Sequence, residues 1–124
     1  MKKILMIDDE KDFAMVVKRN LEARGEYSVI VATDGRSGIS AAIQHRPDLI
    51  LLDIIMPGVG GFDVLKELKS KESTVSIPVI MLTAVGTEEA KEKALSMFNE
   101  DYITKPVLIS DLDAKIKSVL SRKF

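Results

Sequence analysis

The chain of 124 residues has no cysteine, no tryptophan, only two tyrosines and four phenylalanines, and four prolines. Without a thiol, disulfide scaffolds, zinc knuckles and cysteine nucleophiles are all excluded, and the composition fits a reducing compartment. Excess charge of either sign is also missing: 18 Lys and Arg stand against 19 Asp and Glu, a formal net charge of -1. Such a chain has no broad basic field to gather phosphate backbones or anionic lipid, so neither direct nucleic-acid binding nor membrane binding is expected. Long apolar runs are absent as well. The longest run of large aliphatics is Leu49 to Leu52, far below the ~20 residues of a spanning helix. Met1-Lys2-Lys3 leads into only four apolar residues, which does not make an export signal, and a cytoplasmic location is the expectation. What is present is 46% hydrophobic and 30% charged residues. At this length that suffices for one domain over residues 1–124 with a core that needs neither disulfide nor structural metal.

The apolar residues fall into a repeating pattern. Ile4-Leu5-Met6-Ile7 is a short run that stops at Asp8-Asp9-Glu10, as a strand buried on both faces would. Phe13, Val16, Val17 and Leu21 then recur at three- and four-residue steps, with Gly25 placed to end a helix. Val29 to Ala32 predicts a second strand, Thr33-Asp34-Gly35 a turn and cap, and Ile39, Ala42 and Ile43 a helix stopped by Arg46-Pro47. A third round runs from Leu49-Ile50-Leu51-Leu52 through a loop from Asp53 to Gly61 into a helix carrying Leu65 and Leu68. A fourth runs from Pro78 and Val79-Ile80-Met81-Leu82 into a helix over about 87–97. Tyr102-Ile103 is a brief fifth strand, and Leu112, Ile116, Val119 and Leu120 form one face of a closing helix. Met6, Met81 and Met97 fall within these patterns and read as core filler. Alternating strands and helices imply an α/β fold, a parallel five-stranded sheet with helices on both faces. Two strand orders are common for such sheets, and in the order 2-1-3-4-5 a crevice opens between strands 1 and 3 at their C-terminal ends.

The residues that follow the strands are polar. Strand 1 ends at Asp8-Asp9, strand 3 at Asp53, strand 4 at Thr83, and strand 5 near Lys105. Taken singly, each has a structural reading: Asp9 or Asp12 as a helix cap, Asp53 as a turn residue, Thr83 as a β-branched strand end, Lys105 as a solvated side chain. Their coincidence at one sheet edge points to a site. Carboxylates brought together repel by about 4 kcal/mol per pair at 4 Å and an effective dielectric of 20. An oxygen-only donor set without His or Cys suits a hard divalent ion, Mg²⁺ best, with Mn²⁺ acceptable. Lys105 adds a mobile cation and Thr83 a hydroxyl donor, both suited to phosphoryl oxygens. His45, at a helix end with no second histidine, reads as a surface residue, and Lys66, Lys69 and Lys71 as a solvated helix face.

Four segments together carry a resemblance that spans essentially the whole chain: Asp8-Asp9-Glu10, Asp53-Ile54-Ile55-Met56-Pro57-Gly58, Thr83-Ala84 and Tyr102-Ile103-Thr104-Lys105-Pro106. In this order and spacing the chain resembles the receiver domains of two-component response regulators. The resemblance implies the flavodoxin-like (βα)5 fold with strand order 2-1-3-4-5. It implies Asp53 as phosphoacceptor, Asp8 and Asp9 as the acidic pair that holds Mg²⁺, the backbone carbonyl of Ile55 as a further ligand, and Lys105 as the partner of the phosphoryl group. Thr83 resembles the switch hydroxyl, Tyr102 the aromatic whose rotamer follows phosphorylation, and Lys105-Pro106 the peptide bond that is cis in the family. The implied partners are a sensor histidine kinase or phosphotransfer protein and a downstream effector, which reads the surface of the fourth and fifth helices and the fifth strand.

Phe98-Asn99 departs from a Gly-Ala common before the last strand, and Gly60 replaces a common acidic residue and is expected to loosen its loop. Ile55 and Val85, two residues after Asp53 and Thr83 respectively, stand at positions that the resemblance implies border the phosphoryl group; both are apolar and cannot orient an attacking water, so a long-lived phosphoryl state is expected. Three rival functions stand beside the resemblance. An aspartate-nucleophile phosphatase of the haloacid dehalogenase type would need an acid where Ile55 stands. A flavin carrier would need a Ser-, Thr- and Gly-rich loop where three acids stand. A binding-only relative would not keep Asp8, Asp9, Asp53, Thr83 and Lys105 together. A receiver cut from a longer regulator or hybrid kinase is equally compatible with the sequence.

Overall fold

The computed structural model describes residues 1–83 and 101–122. Five strands, β1 (Lys2–Ile7), β2 (Tyr27–Ala32), β3 (Leu49–Asp53), β4 (Val79–Thr83) and β5 (Asp101–Thr104), form one sheet in the order β2-β1-β3-β4-β5. All four pairings are parallel. The described helices are α1 (Lys11–Glu22), α2 (Gly35–His45), α3 (Gly61–Ser70) and α4 (Ile109–Leu120). The last is the closing helix of the sequence pattern; the helix expected over about 87–97, with Val85, Met97, Phe98 and Asn99, lies outside the described residues.

The sheet is covered on both sides because its inner strands alternate between two apolar layers. Leu5 and Ile7, Ile50 and Leu52, and Val79 and Met81 meet Ile39 and Ala42 of α2 and Val64, Leu65 and Leu68 of α3. Ile4 and Met6, Leu49 and Leu51, and Ile80 and Leu82 meet Ala14, Val17 and Leu21 of α1 and Leu112, Ile116 and Val119 of α4. Successive side chains of a strand point to opposite faces, so a run apolar at every position is what burial on both sides requires. Among the described residues, no helix is long and apolar enough to cross a membrane.

Local signals behave as expected at most ends. Gly25 takes φ +78°, its N–H bonded to the Glu22 carbonyl at 3.0 Å, where a side chain would be strained. Asp34 caps α2 by accepting the Ser37 N–H at 2.8 Å. Neither Asp9 nor Asp12 caps α1; Glu10 holds the cap position without a side-chain bond, and its N–H is taken by Asp8 Oδ1 at 2.9 Å. Gly60, at φ -71°, is an ordinary residue of the turn into α3. Lys69 is not simply solvated: its Nζ donates to the carbonyls of Val75 (3.1 Å) and Ile77 (2.8 Å), closing the turn between α3 and β4.

α4 is tied to the opposite end of the sheet by a buried acid. Asp113 is 5% exposed. It accepts the Tyr27 hydroxyl at 2.5 Å and pairs with Arg24 Nη1 and Lys117 Nζ, each at 3.2 Å. Burial works to raise its pKa, but the Tyr27 hydroxyl, Lys117 and Arg24 together hold it below the ordinary carboxylate value. Asp113→Ala leaves the buried Tyr27 hydroxyl without its acceptor and removes the carboxylate that Arg24 and Lys117 share, and should lower unfolding free energy by about 3 kcal/mol. Urea denaturation at pH 7 measures it; an unchanged midpoint would mean the network contributes nothing. Because the folded pKa is depressed, this contribution is present at neutral pH and fades as the solution is acidified through the carboxylate range.

Candidate phosphoacceptor site

The site follows from strand register. Ile7 of β1 pairs with Leu52 of β3, so Asp8 and Asp53 stand side by side at the C-terminal edge of the sheet. Asp53 pairs in turn with Leu82, and Thr83 with Thr104, which brings Lys105 to the same edge one residue beyond β5. Asp8 is wholly buried, its N–H bonded to the Ala32 carbonyl at 3.0 Å, and Asp53 is 3% exposed.

Three carboxylates converge here. Asp8, Glu10 and Asp53 each place one oxygen within 4.8 Å of the others. Lys105 lies among them, its Nζ 2.9 Å from Asp8 Oδ2, 3.0 Å from Glu10 Oε1 and 3.7 Å from Asp53 Oδ1. The ammonium also sits 4.4 Å from the centre of the Phe13 ring. Burial, then the neighbouring charge of Asp8, push the Asp53 carboxyl up to about 7, against the pull of Lys105; Asp9 adds to the rise, and the Ile55 N–H bonded to Asp53 opposes it. Burial works to lower the Lys105 pKa, but its bonds to Asp8 and Glu10 and the charge of Asp53 hold it above the usual lysine value.

Of the residues singled out in sequence, Asp8, Asp53 and Lys105 are brought into one cluster. Asp9 is exposed and is not one of the three converging acids, although Asp53 feels its charge. Ile55 is 57% exposed, its backbone beside Asp53. Tyr102, half-buried on β5, packs on the α2/α3 side of the core. The Lys105-Pro106 bond is cis. Thr83 ends β4, and its side chain lies outside the described part of the molecule. Glu10 and Phe13 belong to the site without a signal in the sequence that assigns them to it. Glu10 was legible only as the third of three acids, and Phe13, at helical spacing, looks like core.

An oxygen-only set with two buried, mutually repelling carboxylates fits a hard divalent cation. The family model for the response regulator receiver domain matches residues 4–117. The chain belongs to the response regulator receiver family. This receiver is 41% identical over 122 residues to the DNA-binding dual master transcriptional regulator RpaA of Synechocystis, covering 98% of the chain and 50% of that protein. It is 40% identical over 121 residues to the phosphate regulon transcriptional regulatory protein PhoB of Pseudomonas aeruginosa, covering 98% and 52%. The chain thus spans about half the length of the curated relatives it matches. Among solved structures, a Francisella response regulator receiver domain superposes with TM-score 0.90 at 31% identity, covering 98% of both chains. The receiver domain of a sensor histidine kinase from P. aeruginosa, with magnesium coordinated in its active-site cleft, superposes with TM-score 0.89 at 26% identity, again covering 98% of both. The receiver is therefore a signalling domain of two-component systems, with the flavodoxin-like fold and strand order expected from its sequence.

Proposed function

We propose that this receiver takes a phosphoryl group from a phosphohistidine on a sensor histidine kinase or phosphotransfer protein onto Asp53. The observation that carries this reading is the Asp53 carboxylate itself, nearly buried at the sheet edge beside Asp8 and 3.7 Å from the Lys105 ammonium. An Asp53 oxygen attacks phosphorus in line; the P–N bond to imidazole breaks, a P–O bond forms, and the imidazole leaves with a proton from solvent. Asp8, Asp9, Asp53 and the Ile55 carbonyl are the residues that would hold Mg²⁺, or Mn²⁺ in its place. When bound, the cation offsets charge on the transferring oxygens and favours the ionised Asp53. Lys105 and Thr83 bind phosphoryl oxygens. Bonds to a charged group contribute about 1.5–3 kcal/mol each, while inverting a 1:99 equilibrium takes about 5.5, so both contacts are needed to switch the domain. Movement of Thr83 vacates space for Tyr102, altering the surface of the last two helices and β5 that a downstream effector reads. The exposed, apolar Ile55 disfavours a dehalogenase-type phosphatase, which needs an acid there.

The half-length match to transcriptional regulators, one of them described as DNA-binding, supports a receiver that belongs to a longer protein, in which DNA contact falls to the other half. The receiver itself then needs no basic surface. Incubation with Mg²⁺ and acetyl phosphate, followed by intact mass, tests the chemistry: one added phosphoryl group is a gain of about 80 Da. No gain would sink the reading. The double substitution Ile55→Asn with Val85→Glu, which supplies polar groups two residues after Asp53 and Thr83, should shorten the phosphoryl half-life more than twofold. A half-life unchanged within twofold would remove the role given to these apolar residues.

A further inference from the structure

Resting on the phosphoacceptor reading above, we propose that Glu10 is a positioning residue that restrains Lys105 before phosphorylation, and so slows phosphoryl capture. The ammonium is not shared evenly among the three acids. It lies within hydrogen-bond distance of Asp8 Oδ2 (2.9 Å) and Glu10 Oε1 (3.0 Å), but 3.7 Å from Asp53 Oδ1, on the carboxylate that receives the phosphoryl group. Asp8 is completely buried and belongs to the floor of the site, whereas the Glu10 side chain is 63% exposed and holds Lys105 from the rim. The backbone fixes this arrangement. Glu10 N–H is bonded to Asp8 Oδ1, which orients the turn into α1, and Phe13, one helical turn on, lies under the same ammonium at 4.4 Å.

Capture of a phosphoryl group requires the Lys105 ammonium, 3.7 Å from Asp53 Oδ1, to move toward that carboxylate and the new oxygens, and so to give up its close contact with Glu10 at the rim. A bond made in the ground state and given up in the transition state raises the barrier. Glu10 is largely solvated, so the effect is that of a partly exposed ion pair, about two- to fivefold in rate.

The test compares wild type, Glu10→Gln, Glu10→Asp and Asp12→Asn, each phosphorylated by acetyl phosphate at saturating Mg²⁺, with Mg²⁺ affinity measured separately by calorimetry. Glu10→Gln should be phosphorylated about two- to fivefold faster than wild type, with Mg²⁺ affinity changed less than about threefold. Glu10→Asp keeps the charge but is one methylene too short to hold the ammonium in place, and should match Glu10→Gln. Asp12→Asn removes an exposed acid two residues away and should match wild type. A fast Gln variant beside a slow Asp variant would assign the effect to the long-range field and overturn the proposal. A slower Gln variant with Mg²⁺ affinity reduced tenfold would make Glu10 a metal ligand and overturn it equally. Equal rates in all four proteins would dismiss the restraint alone, whereas a wild type that takes up no phosphate would overturn the functional reading and the proposal with it.

Discussion

Asp53→Asn is expected to abolish the phosphoryl gain and, in the metal-free protein at pH 8, to raise the unfolding free energy by about 3 kcal/mol. The first effect follows from loss of the attacking oxygen. The second follows from the position of the acid, 3% exposed beside the buried Asp8, which lifts its carboxyl to about 7 in the folded state. An unfolded Asp titrates near 3.9, and each unit of difference corresponds to 1.36 kcal/mol, so ionising the folded acid costs about 4 kcal/mol at most. The folded pKa is the higher one, so the wild type is most stable at low pH with respect to this group. Stability is lost as pH rises through about 4 to 7. The Asn variant, with nothing to ionise, lacks that loss. Thermal melts of both proteins at pH 5 and pH 8 in chelator should therefore diverge at the higher pH, and addition of Mg²⁺ should stabilise wild type more than the variant. A variant melting no higher than wild type at pH 8 would show that the cluster is not repulsive.

Gly61→Ala should destabilise the fold by about 3 kcal/mol and impair phosphate uptake together. A Cβ at Gly61 would lie 2.6 Å from the Ile54 Cα and nearer still to the Asp53 carbonyl oxygen, both backbone atoms that cannot rotate away. The close approach exists because the Gly61 N–H donates to the Ile54 carbonyl at 2.8 Å, folding the β3–α3 loop back onto the end of β3. Making room would displace the backbone that carries Asp53. Gly60→Ala is the matching control: nothing lies nearer than 3.9 Å to a Cβ there, and its φ of -71° suits any residue. Urea denaturation should separate the two variants widely. Equal midpoints would mean the approach at Gly61 relaxes without consequence.

The two glycines illustrate what can be read from a chain and what cannot. In sequence, Gly60 stands out as a departure from a common acidic residue that predicts a looser loop, while Gly61 marks only the loop's end. The structure gives Gly61 its weight, because crowding is a property of backbone segments brought together in space and leaves no mark on either neighbour's identity. Glu10 and Phe13 were hidden for a related reason. A surface glutamate and a helix-face phenylalanine are what any amphipathic first helix has, and their common contact with Lys105 spans more than ninety positions of chain.

By itself the sequence determined the alternation of strands and helices, since a strand buried on both faces must be apolar throughout and a covering helix on one stripe. It also determined that acids would stand where β1 and β3 end, because those residues are contiguous with the strands. The tertiary structure decided which acid oxygens converge, which of them Lys105 prefers, and how far Asp53 is withdrawn from water. Those outcomes depend on strand register and on ångström-scale distances between residues far apart in the chain, to which the order of amino acids is only indirectly tied.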